Sequence, residues 1–252
     1  VAATRLLRAW TLGRGLELEL HLTPDIVSTP PRSCRASGRG GVALVNPANE
    51  ALVGTKLPYF PMPVEPPPGL QHSGWCGMEA GGHMFYPMQV VDGLVHMRGG
   101  HGLFEACQAL PELEPGVRCR IGGAVVTPAT GDLCESFVRV VHTVPPLYGD
   151  AGWEAALAAC YRSALAAAWA PARGGDEVRE VLLPLLGAGA RGAPPAEAAR
   201  VAAAELAAAE PPVQAGPPPG RAVLLAVRDE AMAAEVGDCL AQAVEERGQR
   251  PS

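Results

Sequence analysis

The second half of this chain alternates apolar runs with segments of helical spacing, and that order constrains the fold more than any other feature. Residues 153–168 place apolar side chains three and four apart, as one buried helix face does. The apolar run 180–186 follows, then an Ala-rich helical segment at 195–209, a second apolar run at 222–227 and a last helical segment at 231–247. Strands that alternate with helices predict an α/β fold with a largely parallel sheet.

The first half predicts further strands and one helix. "LELELHL" (16–22) alternates strictly, as a half-buried strand does, and "GVALV" (41–45) is a short apolar run typical of a buried parallel strand. "RCRIGGAVVTPA" (118–129) and "SFVRVVHTVPP" (136–146) predict two more strands, and residues 92–110 have helical spacing with a glycine-rich break inside. These elements extend the alternation toward the start of the chain.

Composition disfavours several classes of protein. The net charge is −6 and no run rich in Lys or Arg occurs, which disfavours nucleic acid as a partner. No apolar run approaches the roughly 20 residues of a membrane span, and Arg5 and Arg8 are not followed by the apolar core of a secretory signal. Seven cysteines without a CxxC pair predict free thiols in a reducing compartment. The expected location is therefore intracellular, in cytoplasm or nucleus, with an organelle left open.

Three of the predicted strands end in polar or glycine-rich sequence, where ligands bind in such folds. They end in "VNPAN" (45–49), "VVHTVPP" (140–146) and "PLLGAGARG" (184–192). An Asn amide both donates and accepts hydrogen bonds, as recognition of a sugar hydroxyl requires, but Asn also caps helices and forms turns. The glycines fit a backbone cradle for phosphate or a plain tight turn. On the residues alone, both alternatives stay open.

The combination of motifs resembles the macro domain family. "ALVNPANEALVG" (43–54) is similar to its hallmark strand and turn, and "VVDGLVH" (90–96) to a segment of its ADP-ribosyl hydrolase members. "GGAVVTPATGDL" followed by "VVHTVPP" resembles a further motif pair, and "PLLGAGARGAP" its diphosphate loop. The matches keep their order and rough spacing over residues 16–245. The resemblance implies a three-layer α/β/α fold around a central mixed, largely parallel sheet, and a single domain over 1–252.

The resemblance also implies a set of ligand-binding residues. "HLTPDIV" (21–27) is a looser match to the family's adenine-contacting segment. The implied set is Asp25, Ile26, Asn46, Asn49, Asp92, Gly93, His96, Gly187, Ala188, Gly189, Ala190, Arg191 and Gly192.

Within that set, the implied catalytic residues are Asp92, Asn46 and Asn49. Asp92 would orient or activate a water near the distal ribose, and the two asparagines would position that ribose. Asp92 could instead be the N-cap of the following helix. His96 lies one helical turn later and could line the pocket or be a partly exposed helix residue. For His142, a packing role is favoured.

The sequence departs from the family pattern in three places. A Pro- and Gly-rich insertion at about 55–90 precedes Asp92 in place of the family's glycines, with an aromatic cluster that fits either a lid or a self-packed loop. Arg191 stands where many members have an apolar side chain, and could pair with a phosphate or point to solvent. "AVRDE" (226–230) lacks the aromatic that often stacks on adenine.

Two functions follow from the resemblance. The first is binding of ADP-ribose with hydrolysis of ADP-ribosyl linkages, either on acidic side chains of a protein or in O-acetyl-ADP-ribose. The alternative is a non-catalytic module that binds ADP-ribose or a related nucleotide. A third hypothesis is a phosphate-binding α/β protein outside the family. No cofactor is expected, and no metal, because His72, Cys76 and His83 fit no standard zinc spacing. The expected partner is ADP-ribose or an ADP-ribosylated protein.

Overall fold

Seven strands form one sheet in the computed structural model of this chain, which describes residues 4–27, 41–55, 90–171, 177–211 and 220–248. The strand order is β1-β2-β7-β6-β3-β5-β4. The strands are β1 (Arg5–Thr11), β2 (Leu16–Leu22), β3 (Gly41–Pro47), β4 (Ala124–Pro128), β5 (Arg139–Thr143), β6 (Val178–Pro184) and β7 (Arg221–Val227). The helices are α1 (Val91–Gln108), α2 (Trp153–Trp169), α3 (Pro195–Ala207) and α4 (Glu230–Gly248).

The five central strands are parallel and the two edge strands are antiparallel. β2, β7, β6, β3 and β5 pair in parallel, while β1 runs against β2 and β4 runs against β5. The carboxyl ends of the five parallel strands therefore meet at one edge of the sheet. This confirms the predicted mixed, largely parallel sheet.

The helices form a layer on each face of the sheet. Leu20, Val45 and Leu183 pack against α2, α3 and α4 on one face, in a core that includes Leu157 and Leu206. On the other face, alternate residues of the same strands pack against α1, as Leu44 and Leu182 do against Val95 and Leu103. The three-layer α/β/α arrangement is therefore as expected.

Helix α1 contains the glycine-rich break that its sequence indicated. Gly100 has φ +62° and ψ −158°, outside the helical region, so α1 is two helical segments joined at a kink. Gly131, after β4, lies so close to this kink that a Cβ atom there would be 2.6 Å from the carbonyl oxygen of Arg98. Only glycine permits this contact, which docks the chain after β4 on α1.

Two elements differ from the sequence-based expectation. Strand β1 was not predicted, because its side chains are exposed or half-buried and show no alternation. Of the run predicted as one strand at 118–129, only Ala124–Pro128 is β-strand, and the residues before it form bends, a turn and an isolated bridge from Ile121 to Val144. Most of the expected insertion at 55–90, with its aromatic cluster and with His72, Cys76 and His83, lies outside the described residues. None of the helices in the described ranges is long and apolar enough to cross a membrane.

Candidate functional site

A cleft of about 640 Å³ opens at the carboxyl ends of the parallel strands. Its walls are the segments that follow β2, β3, β5, β6 and β7, together with the start of α1. Five chain segments that are distant in sequence therefore meet there because the parallel strands end at one edge.

The segment after β6 forms one wall of the cleft. Gly187 has φ +82°, and an added Cβ would lie 3.3 Å from both Cδ atoms of Leu157. The carbonyl of Gly187 accepts from Ala193 N (3.1 Å), and that of Gly189 accepts from Gly192 N (3.0 Å). The hydroxyl of Tyr161, on α2, accepts from Leu186 N at 3.0 Å and holds the start of this loop. The loop is thus fixed from both ends.

Arg191 links this loop to the segment after β3. One guanidinium nitrogen donates to the carbonyl of Ala48 at 3.2 Å. The carbonyl of Arg191 accepts from Tyr148 N (2.9 Å), and Tyr148 packs edge-on against Trp153. Arg191 lines the cleft and is half-buried, so the side chain is held at the wall and does not extend freely into solvent.

Asp92 lies at the inner wall of the cleft, in the first turn of α1. Its Oδ1 accepts from Asn46 Nδ2 at 2.7 Å, and its Oδ2 accepts from Thr55 Oγ1 at 2.8 Å. The N-cap position of α1 is Val90, with no side-chain cap, so Asp92 is not the cap of this helix. The side chain is almost buried, with 2% of the residue exposed. Two side-chain donors therefore fix the carboxylate.

Asn46 lies beneath the cleft, at the end of β3, and is fully buried. It faces α1, on the same side of the sheet as Leu44, so its amide meets the first turn of that helix. Besides Asp92, its Nδ2 atom contacts His142 Nδ1, on the neighbouring strand β5, at 3.2 Å. The other ring nitrogen of His142, Nε2, lies 2.9 Å from Thr127 Oγ1 on β4. A polar row thus crosses three strands to reach Asp92.

Asn49 stabilises the turn that follows β3. Its Nδ2 donates to the carbonyl of Gly54 (3.0 Å) and its Oδ1 accepts from Val53 N (3.3 Å). This turn leads directly to Thr55, the second donor to Asp92. Asn49 therefore makes the turn contacts typical of asparagine, and it also lines the cleft.

His96 lies behind Asp92, one turn further along α1. It is fully buried, and its Nε2 is 3.6 Å from Asp92 Oδ1. Burial lowers the pKa of His96, against a smaller opposing effect of the Asp92 charge. Burial, with the nearby His96, also lowers the pKa of His142 to about 3. Both imidazoles are therefore neutral at neutral pH.

His96 and His142 form a buried cluster with Cys107. One ligand-type atom from each lies within 4.8 Å of the others, and Cys107 Sγ is 3.7 Å from His142 Nε2. Burial, with the Asp92 charge, raises the pKa of the Cys107 thiol to about 12. The three side chains offer three of the four ligands of a closed zinc site. However, the Cys107 thiol is neutral, and His142 Nε2 already contacts Thr127 Oγ1. These features fit a packed polar cluster better than a metal site.

The cleft brings together most of the residues expected to bind ligand. Those that line it are Asp25, Ile26, Asn49, Asp92, Gly187, Ala188, Gly189, Ala190 and Arg191. Asn46, Gly93, His96 and Gly192 are not among the described residues that line it. Asn46 and His96 are instead buried behind Asp92. His96 therefore lies neither in the pocket wall nor on a partly exposed helix face, the two positions that the sequence left open.

Sequence reasoning missed several contributors to this site. Thr55 and Thr127 were not considered, and Arg228, Asp229 and Met232 after β7 line the cleft without having been assigned to it. Arg228 could have been predicted as a cleft residue, because it directly follows a predicted parallel strand. No local pattern indicates Thr55 or Thr127, because their contacts depend on strand register.

Both the sequence and the fold of this chain are similar to those of known proteins. The model of the family described as Macro domain matches residues 79–202. Among curated relatives, a macro domain-containing protein of Ralstonia nicotianae is 39% identical over 114 residues, 44% of this chain and 58% of its own length. An O-acetyl-ADP-ribose deacetylase of Salmonella gallinarum is 36% identical over 114 residues, with the same two shares. The chain thus spans a little over half the length of these relatives.

Solved structures extend the likeness to nearly the whole chain. The Oceanobacillus iheyensis macrodomain with ADP superposes with a TM-score of 0.65 at 19% identity, covering 97% of this chain and 100% of that one. The Trypanosoma brucei macrodomain in complex with ADP-ribose gives a TM-score of 0.54 at 19% identity, covering 88% of this chain and 68% of that one. At these identities the likeness is one of fold.

Proposed function

This chain has the macro-domain fold and resembles the macro domain family in sequence, and from that premise we propose that it binds ADP-ribose and hydrolyses ADP-ribosyl linkages. The bonds in question join ADP-ribose to acidic side chains of proteins, or to acetate in O-acetyl-ADP-ribose. The ligand would occupy the cleft at the carboxyl ends of the parallel strands.

The geometry of Asp92 is the observation that carries the proposal. An ionised carboxylate offers about four acceptor positions, and Asn46 and Thr55 occupy one on each oxygen. In the proposed mechanism, a remaining acceptor position of this carboxylate, which lines the cleft, would orient a water against the distal ribose. Since two donors fix the carboxylate, the water would be held at a defined position, as positioning catalysis requires.

The two asparagines contribute in different ways. Asn49 lines the cleft, where it could contact a ribose hydroxyl while keeping its turn contacts. Asn46 is buried and donates to Asp92, so its effect on the ribose would pass through that carboxylate.

The loop at 187–192 would hold the diphosphate. Gly187, Ala188, Gly189, Ala190 and Arg191 all line the cleft, and glycine lets the backbone approach an anion closely. Arg191 adds a positive charge at the same wall, already oriented by its bond to Ala48. A guanidinium in this position favours a dianionic ligand.

The alternative is a binding module without turnover. The low exposure of Asp92 favours it, since 2% leaves little room for a reacting water. So does the sequence "YPMQVV" (86–91), which lacks the glycines that the family places before this aspartate.

Calorimetry with ADP-ribose, with AMP as the control ligand, tests the binding half of the proposal. We expect micromolar affinity for ADP-ribose and little for AMP, because AMP lacks the diphosphate and the distal ribose. Absence of binding to ADP-ribose would refute the proposed function while leaving the fold unaffected.

Turnover of O-acetyl-ADP-ribose and of a protein mono-ADP-ribosylated on glutamate tests the catalytic half. Asp92→Ala should reduce the rate by about 10²- to 10⁴-fold, the usual contribution of a positioned acid or base, and leave the Kd for ADP-ribose within about threefold. Asp238→Ala is the matched control, since that carboxylate pairs with Arg8 on the surface, away from the cleft. Activity that survives Asp92→Ala would assign catalysis elsewhere, and a wild type that binds without turnover would favour the binding module.

A further inference from the structure

We propose that Thr127 and His142 are positioning residues, which fix the orientation of the Asn46 amide and thereby of the Asp92 carboxylate. Their role in catalysis rests on the proposed function, but the hydrogen-bond orientation does not. Neither residue lines the cleft, and strand β4, which carries Thr127, contributes no described residue to its wall.

The first step is the contact between Asn46 and Asp92. An ionised carboxylate only accepts hydrogen bonds. The Asn46 atom that lies 2.7 Å from Asp92 Oδ1 must therefore be the nitrogen, Nδ2. In the flipped orientation the amide oxygen would face the carboxylate, two acceptors would meet, and Asp92 would lose one of its two side-chain donors.

The second step fixes the tautomer of His142. The second N–H of the Asn46 amide faces His142 Nδ1 at 3.2 Å. A donor at this position requires a lone pair on Nδ1, so the ring proton must reside on Nε2. An imidazolium, or the other tautomer, would set N–H against N–H. The lowered pKa of His142 agrees with a neutral ring.

The third step is the acceptor for that proton. Nε2 lies 2.9 Å from Thr127 Oγ1, whereas Cys107 Sγ is 3.7 Å away and is a weak acceptor. Thr127, Asn46 and His142 are at most 1% exposed, so bulk water does not reach the ring to replace the hydroxyl. A threonine hydroxyl can donate or accept, so the Asn46 amide selects the Nε2–H tautomer, and Thr127 supplies the strong acceptor that keeps this buried proton hydrogen-bonded.

Strand register places these groups in line. Asn46 and His142 are direct partners across the parallel pair β3 and β5. Thr127 on β4 is diagonal to His142, with Val125 as the direct partner and Val140 opposite Thr127. The hydrogen-bonded row thus runs from the edge strand β4 through β5 and β3 to Asp92, in the first turn of α1.

Replacing Thr127 tests the role in catalysis. Thr127→Val keeps the shape and removes the acceptor, and we expect kcat to fall 10- to 100-fold while KM and the Kd for ADP-ribose stay within threefold. Thr127→Ser keeps the hydroxyl and should remain within threefold of wild type. Thr143→Val is the matched control, because it removes a buried hydroxyl from β5 that bonds the Gly123 carbonyl, outside this row. Equal losses of kcat in Thr127→Val and Thr143→Val would overturn the inference.

Nitrogen-15 NMR of the histidine ring tests the orientation without any activity. The wild type and Thr127→Ser should give the Nε2–H pattern for His142, and Thr127→Val should shift the Asn46 side-chain amide resonances. An Nδ1–H pattern in the wild type, or zinc found bound at Nε2, would overturn the inference. If the wild type turns over no substrate, the proposed function fails, and these resonances alone decide whether Thr127 orients the ring.

Discussion

Under the proposed function, Arg191 is a side chain that would favour an anionic ligand in the cleft. One nitrogen is held by the Ala48 carbonyl, and this leaves other N–H groups for a ligand. Arg228, exposed at the end of β7, is the second arginine of the cleft wall and has no hydrogen bond or ion pair within the described part of the chain. Two arginines at the mouth compensate for part of the negative charge of Asp25, Asp92 and Asp229.

We expect Arg191→Ala to weaken ADP-ribose binding by roughly 5- to 30-fold, since a hydrogen bond to a charged group contributes about 1–2 kcal/mol at a half-exposed site. Arg191→Lys should recover only part of this, because an ammonium cannot form the bidentate contact. Calorimetry at two salt concentrations measures the effect. Arg200→Ala is the control, as Arg200 pairs with Glu154 on the surface. Equal affinities for Arg191→Ala and wild type would place the diphosphate away from this side chain.

At the same scale, most of the residues that the resemblance implied do line the cleft, but the sequence did not indicate the contacts that each one makes. The resemblance gave Asn46 and Asn49 one shared role, yet one donates to a buried carboxylate and the other stabilises a turn. Spacing along the chain does not specify contacts across a sheet. For the same reason, Thr55 and Thr127 carry no signal until strand register is known.

The loop between β6 and α3 depends on one glycine far more than on its neighbour. Gly187 combines a positive φ with two close atoms of Leu157, whereas Gly189 has a φ that other residues adopt and no atom within 4 Å of an added Cβ. Conformation and packing therefore both require glycine at 187, and neither does at 189.

We expect Gly187→Ala to destabilise the protein by about 1–2 kcal/mol, the cost of a left-handed conformation for an L-residue, with some addition from crowding against Leu157. Gly189→Ala should leave the free energy of unfolding within about 0.5 kcal/mol. Urea denaturation followed by fluorescence measures both. A neutral Gly187→Ala would mean that the loop readily adopts another path.

Elements of the fold were predictable where burial imposed a period. The four helices follow from their apolar spacing, and the central strands from alternation or from short apolar runs, since each packs one or both faces into the core. Strand β1 buries too little of either face to carry such a period. The sequence indicated the kink of α1 only through its glycines. The geometry of the kink could not be predicted, because it depends on the segment after β4 that packs against it.

At the scale of the whole molecule, the folded protein contains two buried neutral histidines, His96 and His142. Its free energy of unfolding therefore depends on pH. The pKa of His142 is lowered to about 3 in the folded state and that of His96 is also lowered, whereas an unfolded histidine has a pKa near 6.5. The unfolded chain therefore binds protons first as the pH falls. The stability that these residues contribute is complete above pH 6.5 and is lost progressively toward pH 3.

We expect His142 alone to lower the free energy of unfolding by about 2 kcal/mol between pH 7 and pH 5. Urea denaturation at several pH values measures the slope. In His142→Gln that part of the slope should disappear, while replacing the exposed His101 by Gln should not change it. A slope that is the same in wild type and His142→Gln would show that His142 is not buried neutral.

The hydrogen bond between Thr55 and Asp92 affects how the length of the connection between these two residues can change during evolution. It joins the two residues that flank the connection 56–91, so the entry and exit of that connection lie a single side-chain contact apart. Chain added between two points that are already in contact costs little, because the entropy of closing a loop rises only with the logarithm of its length. The connection can therefore be lengthened, shortened or replaced during evolution while the Asp92 carboxylate keeps its place.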